Sequence, residues 1–213
     1  KEYLRSVGAK TAAELTGRES TMRTSLGDKH LDEVRAYVEG VFGTSEERSF
    51  RKIVTAFPGI SVHVIKPTSP HGSLTLFTTG MSSKPMMVPK EIAEHAYGEL
   101  YMQLPGDWKI EDADPRYSWP VQLLLDLAAY PEENHGYFAV PVTTIANGEP
   151  AAPLGPNVKF DATALIADKG FPRSDGQTVH LFCVMPVYAE EADMARRSIP
   201  DFLNALDATD TSR

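Results

Sequence analysis

Three stretches of this chain place apolar side chains at every second position, and that period restricts the fold more than any other feature. In "ISVHVI" Ile60, Val62 and Val64 share one face, and in "GSLTLFTTG" Leu74 and Leu76 lie opposite Thr75, Phe77 and Thr79. In "GELYMQLP" Leu100, Met102 and Leu104 lie opposite Glu99, Tyr101 and Gln103. A two-residue period is that of a pleated strand, so these segments need a sheet and something to cover its apolar face. The link "KPTSPHG" is turn chemistry and makes the first two runs a hairpin. Further strands are expected around "YFAVPVTTI", "KFDATALIA" and "TVHLFCVMPVY", separated by the loops "ANGEPAAPLGPN" and "DKGFPRSDGQ".

Helical periods supply the cover. In "DKHLDEVRAYVEGVFG" Leu31, Val34, Val38 and Val41 recur at helical spacing, with Asp28 as a cap and Gly43 as a terminator. In "DPRYSWPVQLLLDLAAYP" Ser118 is expected to cap, Pro120 to occupy the first turn and Pro131 to close a helix whose Leu124, Leu127 and Ala128 meet the sheet. The segment "EEADMARRSIPDFLNALD" places acids before arginines, as a helix dipole favours, and offers a restart at Ser198. The order predicts an α+β domain with a mixed, largely antiparallel sheet flanked by helices. Residues 1–27 read as a helical or flexible extension, and 28–213 as the domain with its C-terminal helical region.

At 213 residues, with 42% hydrophobic and 23% charged residues, the chain can bury one sizeable core. A net charge of −8 and a pI near 5.3 argue against a general nucleic-acid or acidic-membrane binder and suit a basic partner. No stretch approaches the roughly 20 apolar residues of a membrane span. The single cysteine, Cys183, reads as a small core residue, and its solitude fits a reducing, cytoplasmic compartment. The chain begins at Lys1 without a signal-like segment, which leaves open that it is a piece of a longer protein.

Chemistry-bearing patterns are weak. The segment "TTGMSSK" offers Gly-x-Ser, but Lys84 stands where a nucleophile elbow has its second glycine. As a phosphate cradle it has one glycine, and Pro85 and Pro89 remove donors. The six histidines are scattered; "EIAEHAYGE" sets Glu91, His95 and Glu99 on one helical face, yet Gly98 and the strand pattern break that geometry. His63 and His180 are expected on the polar side of the sheet. "KIEDADPR" gathers Glu111, Asp112 and Asp114 as a solvated acidic turn without the spacing of a calcium loop. No cofactor or metal is therefore expected. Large side chains near loops (Met81, Met86 and Met87, then Trp108, Tyr117 and Trp119) suit either a binding rim or the edge of the core.

Taken in succession, "TTGMSSKPM", "GELYMQLPGDW" and "YSWPVQLLLDLAAYP" resemble the suppressor of fused domain. The preceding "VEGVFG" and "AFPGISVHVI" and the later "TTIANGEP" agree, so that the likeness spans roughly residues 28–190. The resemblance implies an α+β domain with a mixed sheet and no catalytic apparatus. It also implies a protein-binding role. In animal relatives the partner is a zinc-finger transcription factor gripped between two domains. In stand-alone bacterial relatives it is a toxin neutralised by occlusion. A short acidic chain fits the second role, with a basic, nuclease-like toxin as partner. The expected partner-binding residues are Met81, Lys84, Met86, Trp108, Glu111, Asp112, Asp114 and Tyr117. The alternatives are a hydrolase using Ser82, or His95 with Glu91 or Glu99, and a regulatory module of a larger scaffold.

Overall fold

A computed structural model describes residues 29–47, 49–52, 59–69 and 72–209. The expected extension at 1–27, the Asp28 cap and His71 lie outside these residues. Seven strands form one sheet: β1 (Ser49–Lys52), β2 (Ile60–Ile65), β3 (Ser73–Thr79), β4 (Tyr97–Pro105), β5 (Val142–Ala146), β6 (Ala162–Pro172) and β7 (Thr178–Val187). Their order is β1-β2-β3-β4-β7-β6-β5, and every neighbouring pair is antiparallel except β4–β7. This is the expected mixed, largely antiparallel sheet. The expected hairpin is β2–β3, with Val64 opposite Leu76.

Alternation assigns the faces. Val62, Val64, Leu74, Leu76, Leu100 and Met102 point to one side, where Leu124 and Ala128 of helix α2 (Pro115–Glu133) complete the larger core. Helix α1, residues 29–42, covers part of the opposite side. There Val34 and Val38 pack with Phe77, Tyr101, Phe171 and Leu181. Phe77 and Tyr101, on the sheet face opposite the leucines, thus become core residues. Two helices, α3 (Ala189–Arg197) and α4 (Ile199–Thr209), pack a third cluster through Ala192, Ala195 and Phe202 against Ala162, Ala164 and Val187. The break between them is extended Ser198, at the expected restart.

Local chemistry explains the ends. Gly43 adopts φ +113° and returns its N–H to the Glu39 carbonyl at 2.9 Å, the left-handed termination that glycine permits. Helix α2 begins earlier than the sequence suggested. Asp114 is the cap and Pro115 the first helical residue; the Asp114 carboxylate accepts from Arg116 N–H at 2.9 Å. Pro120 and Pro131 lie inside the helix rather than at its limits.

The histidine expectation is corrected. His63 does not face a solvated side of the sheet, because α1 lies over it. Its ring stacks on Phe77 at 4.9 Å and its Nε2 meets Thr79 Oγ1 at 2.9 Å. Burial, reinforced by the nearby Arg35 and Arg51 charges, lowers its pKa to about 4. A histidine held neutral by the fold contributes stability that is complete above the unfolded pKa, near 6.5, and is lost as pH falls toward 4. The melting temperature is therefore expected to drop between pH 6.5 and 4 and to drop less in His63→Phe. Equal slopes for both proteins in thermal melts would show that His63 is not the group responsible.

Candidate protein-binding surface

The segment after β3 looked most like a functional loop, and its geometry gives it a structural task. Gly80 carries φ +107°, and a Cβ there would stand 2.5 Å from the Gly59 carbonyl oxygen, so only glycine fits. The turn it starts, Met81–Ser83, is wrapped around Glu99 at the start of β4. Glu99 has no exposed surface. Its Oε1 accepts from Gly80 N–H at 3.0 Å, Ser82 N–H at 2.9 Å and Ser82 Oγ–H at 2.7 Å; its Oε2 accepts from Thr78 Oγ1 at 2.6 Å. Burial pushes the Glu99 pKa up, against the pull of these donors. Arg173, also buried, donates from Nη1 to the Ser82 carbonyl at 2.6 Å and lies 4.6 Å from the centre of the Tyr97 ring.

Ser82 and Glu99, both weighed as hydrolytic residues, therefore do meet, but as a buried hydroxyl capping a buried carboxylate. His95 packs against His180 with the rings tilted by 49° and their centres 4.4 Å apart, and Glu91 is exposed. His180 donates its Nε2–H to the Glu94 carbonyl at 3.0 Å. No group of three or more His, Cys, Asp or Glu among the described residues could hold a metal ion, and no described helix is long and apolar enough to cross a membrane.

The expected partner-binding residues separate into two places at opposite ends of α2. Its 19 residues span about 28 Å. At the C-terminal end, Lys84 is exposed and paired with Glu132. Met81 and Met86 do not form a rim with it: they are 7% and 6% exposed and belong to the larger core. The 3-10 turn directs Met81 inward, and the bond from Met86 N–H to the Ala96 carbonyl at 2.7 Å fixes the backbone at Met86; both long flexible thioethers fill the core beside the sheet. The exposed apolar side chains at this end are Met87, Tyr130 and Tyr137, gathered by the bond from Met87 N–H to the Gly136 carbonyl. Sequence reasoning passed over both tyrosines, because neither has a local signal separating an exposed ring from a core ring.

At the N-terminal end the remaining five residues do come together. Trp108 donates Nε1–H to the Tyr117 carbonyl at 2.9 Å, and its ring meets Tyr117 and Trp119 edge-on at 5.9 and 6.1 Å. Lys109 and Arg116 flank the Tyr117 ring at 5.4 and 5.8 Å. Asp114 is lowered to about 2 by its bonds with Arg116. Glu111 and Asp112 are exposed beside them, and Glu111 shares Lys66 with Glu46 at 3.1 and 2.7 Å. A groove of about 380 Å³ opens here, floored by buried Leu74 and Ile110. The result is an ordered acidic and aromatic corner that can receive a partner side chain.

A seven-stranded mixed sheet with helices on both faces defines an α+β protein, and comparisons narrow the class. The family model described as suppressor of fused protein (SUFU) matches residues 58–212, beginning after the "VEGVFG" segment counted in the sequence likeness and reaching beyond its C-terminal limit. The chain belongs to the suppressor of fused family. The crystal structure described as the Sufu-Fu complex is similar in fold, with a TM-score of 0.54 at 14% identity over 79% of this chain and 80% of that one. No curated protein matches the chain.

Replacing Glu99 by alanine would leave two backbone N–H groups and the Ser82 hydroxyl buried without their acceptor, and the Thr78 hydroxyl with only the Leu100 carbonyl at 3.4 Å. A loss of at least about 3 kcal/mol in urea unfolding at pH 7 is expected, against about 1 kcal/mol for Ser82→Ala. Equal small losses for both would mean that the carboxylate is not the hub of this turn.

Proposed function

We propose that the chain is a protein-binding module that acts by covering its partner without catalysis. In the fuller reading it is a bacterial immunity protein, working in the cytoplasm against a basic, nuclease-like toxin. The observation that carries this reading is the corner at the start of α2, where Trp108, Glu111, Asp112 and Tyr117 project from an ordered turn capped by Asp114. Rigid aromatic side chains ringed by carboxylates supply contact area at low entropic cost and a field that speeds encounter with a cationic surface. The net charge of −8 acts in the same direction at longer range. The similarity to a protein solved as the Sufu-Fu complex supports a binding role of this kind.

The reading is tested with the product of the neighbouring gene. It should be toxic when expressed alone, be captured by this chain in a pull-down, and lose its toxicity on co-expression. A toxic product that is neither bound nor neutralised would end the immunity reading. Glu111→Lys with Asp112→Lys should slow association about tenfold at low salt, with the difference shrinking at high salt. Asp114 is left intact in that variant because it caps α2. An unchanged stopped-flow association rate would exclude this corner from steering.

A further inference from the structure

We propose that the groove between Pro67, Leu74, Trp108 and Ile110 seats an arginine side chain carried by a basic protein partner. The inference rests on the binding reading above and adds the chemistry of what is bound. The floor is apolar, since Leu74 and Ile110 are 2% and 4% exposed, and the half-buried Pro67 and Trp108 complete the lining. An aliphatic stem lying there removes apolar surface from water. Glu111 and Asp112 line the groove opposite Lys66 and Lys109, while Glu46 reaches Lys66 from outside it and Asp107 lines the adjoining hollow, which leaves carboxylates in excess around the site.

Both lysines are already engaged. The Lys66 ammonium is held between Glu46 and Glu111, and Lys109 sits over the Tyr117 ring. The chain's own Lys66 thus shows that this rim attracts a cation, and the carboxylates still outnumber the ammonium groups.

Arginine suits the remaining space better than lysine for two reasons. A planar guanidinium can present two parallel N–H groups to both oxygens of one carboxylate, here Glu111 or Asp112, whereas an ammonium is a point charge. It can also lie against the indole of Trp108, which its bond to the Tyr117 carbonyl holds in one orientation. The turn itself is set before any partner arrives. Trp108 N–H binds the Pro105 carbonyl at 3.0 Å, Ile110 N–H the Trp108 carbonyl at 2.9 Å, and Asp112 N–H the Lys109 carbonyl at 2.9 Å. Little ordering entropy remains to oppose binding.

The test titrates the whole chain, labelled with ¹⁵N, with a tri-arginine and a tri-lysine peptide. The indole N–H resonance of Trp108 is followed, assigned by its absence in Trp108→Phe. Tri-arginine should shift it and bind about fivefold tighter than tri-lysine, as bidentate pairing requires. Glu111→Gln with Asp112→Asn should weaken tri-arginine about fivefold, while Glu133→Gln with Glu190→Gln, remote in sequence, should not. Unchanged melting curves confirm that the variants are folded. A Trp108 resonance that does not move, equal affinities for the two peptides, or an unaffected Glu111/Asp112 variant each overturns the proposal. Capture of the natural partner is measured separately. A chain that binds its partner but shows no arginine preference refutes the groove alone, whereas one that prefers tri-arginine but ignores the neighbouring product refutes the immunity reading alone.

Discussion

A carboxylate sealed from solvent is costly unless every oxygen is met by a donor, and Glu99 is placed where that condition has to be satisfied by residues far away in the chain. Thr78 comes from the end of β3, Gly80 and Ser82 from the turn that follows, and the carboxylate itself from β4. The same turn is gripped from its other side by Arg173, whose guanidinium also makes a two-pronged pair with Asp175 at 3.0 and 2.7 Å. Glu33 of α1 in turn accepts from Ser174 N–H. One polar network therefore joins β3, β4, the β6–β7 turn and the helix that covers the second face. An irregular exit from the centre of the sheet is held as firmly as a strand.

That rigidity matters to the two sides of the sheet in different ways. On the α1 side it adds polar tethers at both ends to a helix whose Val34, Tyr37, Val38 and Phe42 pack on the sheet. The second tether is the Arg35–Glu39–Ser45 cluster beyond the first helix's C-terminal turns, with Glu46 N–H bound to the Val64 carbonyl. On the α2 side the fixed sheet sets the floor against which the Trp108–Tyr117 turn is laid. A protein that acts by covering another must present its contact surface already formed, because loops ordered on binding subtract from the affinity.

The strands were readable because a period of two needs no long-range information. Alternation in "ISVHVI", "SLTLFTT" and "ELYMQL" names the residues of each face correctly, and the helix terminator Gly43 and the break at Ser198 are equally local. The acidic, aromatic character of the candidate corner was visible too, since it lies within one run from Trp108 to Tyr117. The errors came where a second element decides what a side means. His63 looked solvent-facing until α1 covered its face, and Glu99 looked like a polar strand residue until the turn closed over it. Met81 and Met86 illustrate the same point in reverse. Their pattern suited either a binding rim or the edge of the core, and the structure buries both: Met81 in the 3-10 turn, Met86 where its N–H meets the Ala96 carbonyl at 2.7 Å.

The sequence by itself determined the strand and helix content, the largely antiparallel mixed sheet, the family motifs and the sign of the charge, because each depends on neighbours within a few residues or on a simple sum. Only the tertiary structure decided which polar residues are interior and which apolar ones are exposed. Burial is a property of how layers stack, and the donors that make Glu99 tolerable come from positions 17 to 21 residues away, with Arg173 added from 91 residues beyond Ser82. No local pattern encodes that meeting.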